Sequence, residues 1–187
     1  MIPSGVYKFL LKKMGWKSEG EKVADRNCIY LLAPHTSIWD FAIGFMYYRA
    51  QGGHLKVMIK KEAFFFPVNL LLRSMGGFPI DRSNPQSTIK SLIRAMEDNK
   101  DRYFHLTICP EGTRKAVRKW KTGFHTIAKA TGAPVYLTYI DFGRKRVGIL
   151  PGRIELTDNA RADMDRIQAI YAQQHFTGLH PEGYVTE

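Results

Sequence analysis

His35 and Asp40 stand five positions apart in the stretch Pro34-His35-Thr36-Ser37-Ile38-Trp39-Asp40. Histidine is the side chain best suited to take up and return a proton near neutral pH. A carboxylate fixed on one ring nitrogen leaves the other free to act as a base. On a continuous helix this spacing turns the two side chains away from each other, so the pair needs a bend. The sequence predicts one, because residues 28–33 form an apolar, strand-like run and residues 40–46 read as a helix. Thr36 and Ser37 are candidate caps between them, which puts His35 just outside the helix and Asp40 in its first turn. A strand-to-helix junction is where α/β proteins commonly place a site. The bland alternative is a capping loop with a surface histidine.

Two further stretches carry chemistry. The apolar strand at 103–109 runs into Pro110-Glu111-Gly112-Thr113-Arg114-Lys115, followed by Arg118, Lys119 and Lys121. A carboxylate, a glycine that permits close approach, a hydroxyl and several cations can grip a hydroxylated, phosphorylated ligand. The same residues also suit a solvated basic face. Earlier, Gly76-Gly77-Phe78-Pro79-Ile80-Asp81-Arg82 reads as a short strand ending on an arginine, whose planar fork matches phosphate oxygens. A plain surface pair of Asp81 and Arg82 is the alternative.

Composition bounds these readings. The 187 residues suit one domain, and 44% hydrophobic and 12% aromatic content mark a folded protein with a core. A net charge of +11 points to an anionic partner: nucleic acid, a membrane surface or a phosphorylated substrate. Cys28 and Cys109 both lie in apolar runs and read as small core residues of a reduced compartment. The histidines are scattered and there is no CxxC pair, so no metal site is expected. No run is long enough to cross a membrane and no signal peptide is evident.

The supporting elements alternate. Residues 3–16 place Val6, Phe9, Leu10, Met14 and Trp16 among Lys8, Lys12 and Lys13, a basic amphipathic helix that suits either a lipid interface or the domain surface. After the first strand and its helix to about Arg49, residues 55–59 read as a second strand. Three phenylalanines and three leucines at 64–72 cannot all face one core, so part of that run is exposed or it is a buried connecting helix broken by Pro67. A helix follows from Ser83 or Asn84 to about Asp98, with Ile89, Leu92, Ile93 and Met96 on one face. Residues 124–131 form another helix stopped by Gly132, and 133–140 another strand. Residues 146–150 and 153–156 suggest short antiparallel edge strands around Pro151-Gly152. The last helix covers about 159–174, and the tail after Gly178 reads as loosely held. The expected fold is a single-domain α/β protein spanning 1–187, a mixed central β-sheet flanked by helices with an N-terminal amphipathic helix.

Four segments in fixed order resemble the four blocks of the glycerophospholipid acyltransferase superfamily, which includes lysophosphatidic acid acyltransferases. They are His35 to Asp40, matching its His-x4-Asp block; Gly77 to Arg82; Cys109-Pro110-Glu111-Gly112-Thr113-Arg114, matching Pro-Glu-Gly-Thr-Arg; and the weaker proline block at Ala133-Pro134-Val135. The resemblance spans 28–141. Many members carry asparagine before the histidine and a small residue after the serine, where this chain has Pro34 and Ile38-Trp39.

The resemblance implies acyl transfer from a thioester, acyl-CoA or acyl-carrier protein, to a hydroxyl of a lysophospholipid acceptor such as 1-acylglycerol-3-phosphate. His35 is implied as general base with Asp40 orienting it, and Arg82, Glu111, Gly112, Thr113 and Arg114 as acceptor-binding residues. No bound cofactor is expected. Residues 1–20 become a candidate docking segment and 64–72 a candidate acyl channel or dock, for a peripheral protein at the cytoplasmic face of an anionic membrane. The competing reading is a non-catalytic module that uses the basic 114–121 surface to bind an anionic membrane or nucleic acid. No recognised nucleic-acid motif accompanies that surface, so no nucleic acid is expected as partner.

Overall fold

The computed structural model describes residues 2–81, 83–100 and 103–185. Its strands are β1 (Lys17–Glu19), β2 (Asn27–Leu32), β3 (Leu55–Lys60), β4 (Gly77–Ile80), β5 (Phe104–Ile108), β6 (Val135–Asp141) and β7 (Arg146–Ile149). The helices are α1 (Ser4–Lys13), α2 (Trp39–Ala50), α3 (Val68–Ser74), α4 (Pro85–Glu97), α5 (Gly123–Thr131) and α6 (Ala160–Gln174). The strands form one mixed sheet in the order β1-β7-β6-β2-β5-β3-β4. From β6 to β4 all neighbours are parallel; β7 runs antiparallel to β6 and parallel to β1.

The centre follows from hydrophobicity. β5 is buried along its whole length and β2 along all but its ends, as strands covered on both faces are, with His105 and Thr107 the polar residues of β5. The two strands pair in parallel from Asn27↔Phe104 to Leu31↔Ile108, so both strands release their following loops at the same edge. Alternate residues of β2 point to opposite faces. Ile29 and Leu31 join the core beneath α4, α5 and α6, while Cys28 and Tyr30 join the core beneath α1 and α2. Local chemistry sets the helix ends: Asn84 accepts from Ser87 N at 3.0 Å ahead of Pro85, and Asn159 accepts from Arg161 N and Ala162 N. Gly132 ends α5 with φ +66°, a left-handed turn that glycine adopts without strain. Tyr171 of α6 is fully buried and its hydroxyl lies 2.6 Å from Leu31 O and 2.9 Å from Thr138 O, pinning α6 across β2 and β6.

Several expectations change. The N-terminal helix has two apolar stripes: Tyr7 and Leu11 pack inward, while Val6, Phe9, Leu10 and Met14 stay exposed. Trp16 is buried edge-on against Phe142, at 5.1 Å between ring centroids, and is no part of the outer stripe. The 64–72 run is a surface feature in which Phe65, Phe66, Leu70 and Leu71 are exposed. Residues 153–156 form no strand; Ile154 makes a single antiparallel bridge to Val135, and β1 rather than β7 is the sheet edge. The segment after α6 is held firmly, with Phe176 stacked on Tyr139 and Gly178 and Gly183 buried. Among the described residues no helix is long and apolar enough to cross a membrane.

Tyr171→Phe removes the one donor shared by two buried carbonyls. It is expected to destabilise the fold by roughly 1–3 kcal/mol, read from the denaturant midpoint at unchanged slope.

Candidate active site

β2 ends at Leu32 and the chain turns through Pro34–Ser37 before α2 begins. Neither Thr36 nor Ser37 is the N-cap: Ile38 occupies that position and the Ser37 hydroxyl accepts from Trp39 N at 3.2 Å. The capping logic runs backwards. Asp40, second residue of α2, turns one oxygen towards the incoming loop. Its Oδ2 lies 2.9 Å from Thr36 N, from Ser37 N and from His35 Nδ1. Asp40 is 1% exposed, so these contacts operate away from water, and the positive end of the helix dipole favours its charge. With Nδ1–H donated to Asp40, His35 presents Nε2 as the free acceptor. Ser37, buried with its hydroxyl engaged, has no place as a nucleophile.

The ring's environment sets its basicity. Burial works against the imidazolium, but the Cys109 side chain and the Asp40 carboxylate outweigh it and hold the His35 pKa well above the ordinary histidine value. The imidazolium is favoured, and only after it loses the Nε2 proton can that nitrogen accept another.

The second loop meets the first. Gly112 N donates to Cys109 O at 3.0 Å, and Gly112 takes φ +68° to complete the turn. A Cβ there would meet the Lys121 side chain at 2.7 Å. Glu111 points inward instead of towards solvent. It is 4% exposed and its Oε1 accepts from His35 N at 3.2 Å. Burial lifts its pKa to about 7, against the lowering effect of that hydrogen bond and of the His35 charge. One oxygen of the carboxylate that the sequence offers to a substrate hydroxyl thus holds the His35 loop. Thr113 Oγ1 accepts from Lys115 N at 3.2 Å, and Arg114 is exposed beside it. Arg82 lies outside the described residues. Its neighbour Asp81 is already committed, 2.5 Å from Lys61 Nζ and 2.9 Å from Ser83 N.

His35, Cys109, Gly112 and Lys121 line the polar part of a cavity of about 180 Å³. Its remainder is apolar, built by Met58 and Ile80 from the sheet, Ile89 and Leu92 from α4, and Phe124 and Ile127 from α5. This corrects two readings. Cys109 is half-buried and opens onto the site instead of filling the core, unlike Cys28. The apolar space beside His35 comes from β3, β4, α4 and α5, not from the 64–72 run. Sequence reasoning did not single out Lys121 or the Thr36 and Ser37 amides as site groups. Lys121 was one of many cations, and backbone donors carry no sequence signal. Among the described residues no cluster of three or more His, Cys, Asp or Glu could hold a metal ion.

The paired His35 and Asp40 sit at the end of a parallel strand, with the Pro110–Arg114 loop closing over them. The family model for acyltransferases matches residues 16–141, more than half of the chain and all of these groups. The chain belongs to the Acyltransferase family. Within that family, its fold is similar to the crystal structure of PlsC from Thermotoga maritima, described as a 1-acyl-sn-glycerophosphate (LPA) acyltransferase. The TM-score is 0.61 at 16% identity, covering 94% of this chain and 79% of that one. A comparison with curated proteins gave no match. The single-domain α/β reading and the superfamily resemblance are therefore both upheld.

Asp40→Asn keeps an acceptor while removing the charge. Histidine NMR should show His35 titrating at lower pH in the variant, because the imidazolium loses its counter-charge. An unchanged titration would mean that Asp40 does not set the base.

Proposed function

We propose that this acyltransferase moves a fatty acyl group from a thioester, on CoA or on acyl-carrier protein, to a hydroxyl of a lysophospholipid such as 1-acylglycerol-3-phosphate. The observation that carries the proposal is a histidine locked by a buried carboxylate, with its free nitrogen beside an apolar cavity. A base alone would suit many reactions. Next to space for a hydrocarbon chain, it suits acyl transfer to a lipid hydroxyl.

In the proposed step the acceptor O–H approaches His35 Nε2 and gives up its proton as the oxygen attacks the thioester carbonyl. The new C–O bond forms and the C–S bond breaks. The departing thiolate then recovers the proton from the imidazolium. No acyl-enzyme is required, because the thioester is already activated. Asp40 holds the tautomer and balances the charge that develops on the ring. The cations at Arg114 and Lys121 suit the acceptor's phosphate, and Arg82 is assigned the same role from its motif. Gly112 lets the loop backbone come close, and Thr113 braces the turn. Acyl-CoA and acyl-carrier protein are both polyanionic, so the net charge of +11 suits either donor.

The acceptor is a membrane lipid, so the enzyme must reach a lipid surface. The exposed stripe Val6, Phe9, Leu10 and Met14 on α1, flanked by Lys8, Lys12 and Lys13, matches an interfacial helix. Ile38 and Trp39 at the start of α2, and Phe65 and Phe66, are exposed in the same manner. We assign the protein to the cytoplasmic face of an anionic membrane as a peripheral enzyme.

The test is transfer from labelled acyl-CoA and acyl-carrier protein to a panel of lysolipids, comparing wild type with His35→Ala. Transfer is expected to fall by at least about 10³-fold in the folded variant. No transfer to any acceptor, with salt-sensitive binding to DNA instead, would favour the binding-module reading. Paired Phe9→Glu and Leu10→Glu should reduce co-sedimentation with anionic vesicles without lowering the Tm. Unchanged sedimentation would remove α1 as the dock.

A further inference from the structure

Beyond the family-matched residues 16–141, the chain adds β7, α6 and a segment at 176–185 that runs back to the site. Phe176 lies flat on Tyr139 at 4.2 Å between ring centroids, which fixes where the segment starts. His180 N then donates to Thr36 Oγ1 at 3.2 Å. A Cβ on Gly178 would sit 2.5 Å from Thr36 Oγ1, and one on Gly183 would sit 2.7 Å from Arg114 O. These contacts fall on the His35 loop and on the Glu111 loop in turn. The segment bridges both.

Tyr184 follows directly. Its ring faces Trp120 at 6.3 Å between centroids, and the next residue after Trp120, Lys121, donates its N–H to Pro110 O at 2.8 Å. Three polar atoms of these residues stand out: Tyr184 OH, Trp120 Nε1 and Glu111 Oε2. Each is buried and has no hydrogen-bond partner among the described residues. Two are donors and one is a carboxylate oxygen with room for both. Tyr184 lies within the field of Glu111, whose charge, after burial, helps push the phenol's pKa upward. The other oxygen of Glu111 is the one that holds His35 N.

We propose that residues 176–185 form a strap completing the catalytic site, with Tyr184 acting through Glu111 as a positioning residue for His35. The Tyr184 hydroxyl and the Trp120 N–H reach Glu111 Oε2 through bridging water. The carboxylate then presents its other oxygen to the His35 backbone in a fixed orientation. Because buried carboxylates neutralise when donors are lost, the strap also sustains the negative charge that favours the His35 imidazolium. The proposal rests on the acyl-transfer reading for its catalytic consequence but not for its structural one.

The test uses the full chain with Tyr184→Phe, which removes only the hydroxyl, and Gly183→Val, which pushes the strap off the Arg114 carbonyl. Histidine NMR on Tyr184→Phe should show the His35 titration lowered by about half a unit. Acyl transfer should lose roughly tenfold in kcat, read at pH above the His35 titration so that the lowered pKa does not itself add free base, with little change in KM for the lysolipid, since Tyr184 does not touch it. Gly183→Val should move both readouts in the same direction and further. A folded Tyr184→Phe protein with wild-type titration and wild-type kcat overturns the proposal, and so does a loss confined to KM. If the titration shifts while the wild type transfers no acyl group, the strap stands and the reaction assignment falls.

Discussion

One carboxylate oxygen organises the site. Asp40 Oδ2 gathers the backbone N–H groups of Thr36 and Ser37 together with His35 Nδ1, all at 2.9 Å, at the first turn of α2. A polar cluster this deep is stable only when its charge is matched by donors. Here the donors come from the turn that has to be folded. The same contacts that satisfy Oδ2 bend the chain from β2 into α2 and aim the imidazole. Structure and chemistry at this point have a single cause.

The surroundings make that cause effective. β2 and β5 run parallel and in register, so their exits lie side by side and the Glu111 loop reaches the His35 backbone. The strands also divide the two cores, with α2 leaving over one face and α5 over the other. The cavity opens on the α4 and α5 side, where Leu92, Phe124 and Ile127 give it an apolar lining. There burial disfavours the imidazolium, and the Cys109 and Asp40 side chains together outweigh it and hold the His35 pKa high. The cations stand at the polar end of the cavity and the apolar side chains at the other. That polarity matches a molecule with an anionic head and a hydrocarbon tail.

Much of this was legible in the sequence where local chemistry decides. The continuous apolar runs gave β2 and β5, and Asn84 with Pro85, Asn159 and Gly132 marked helix ends. His35, Asp40 and the Pro-Glu-Gly-Thr-Arg loop stood out by residue type, and the structure brings them together. What was not legible depended on distant partners. β1, Lys-Ser-Glu, has no periodicity and becomes a strand because β7 offers it an edge. On α1 the spacing from Val6 selects one stripe, whereas the buried one is Tyr7 and Leu11, chosen by contact with α2. Glu111 reads as a ligand to substrate; its hydrogen bond to a residue 76 positions away, which makes it also a support for the His35 loop, has no local signal. The tail looked free because its anchors are glycines packed on Thr36 and Arg114, and no pattern in the tail announces them.

The most direct test of the account is the pH dependence of kcat/KM for acyl transfer, corrected for uncatalysed thioester hydrolysis. In the proposed step His35 acts only in its unprotonated form, and its pKa is held high, so the rate should climb with pH beyond the ordinary histidine range before it levels. A profile flat from pH 6 to 9, or one falling as pH rises, would contradict a base held by Asp40.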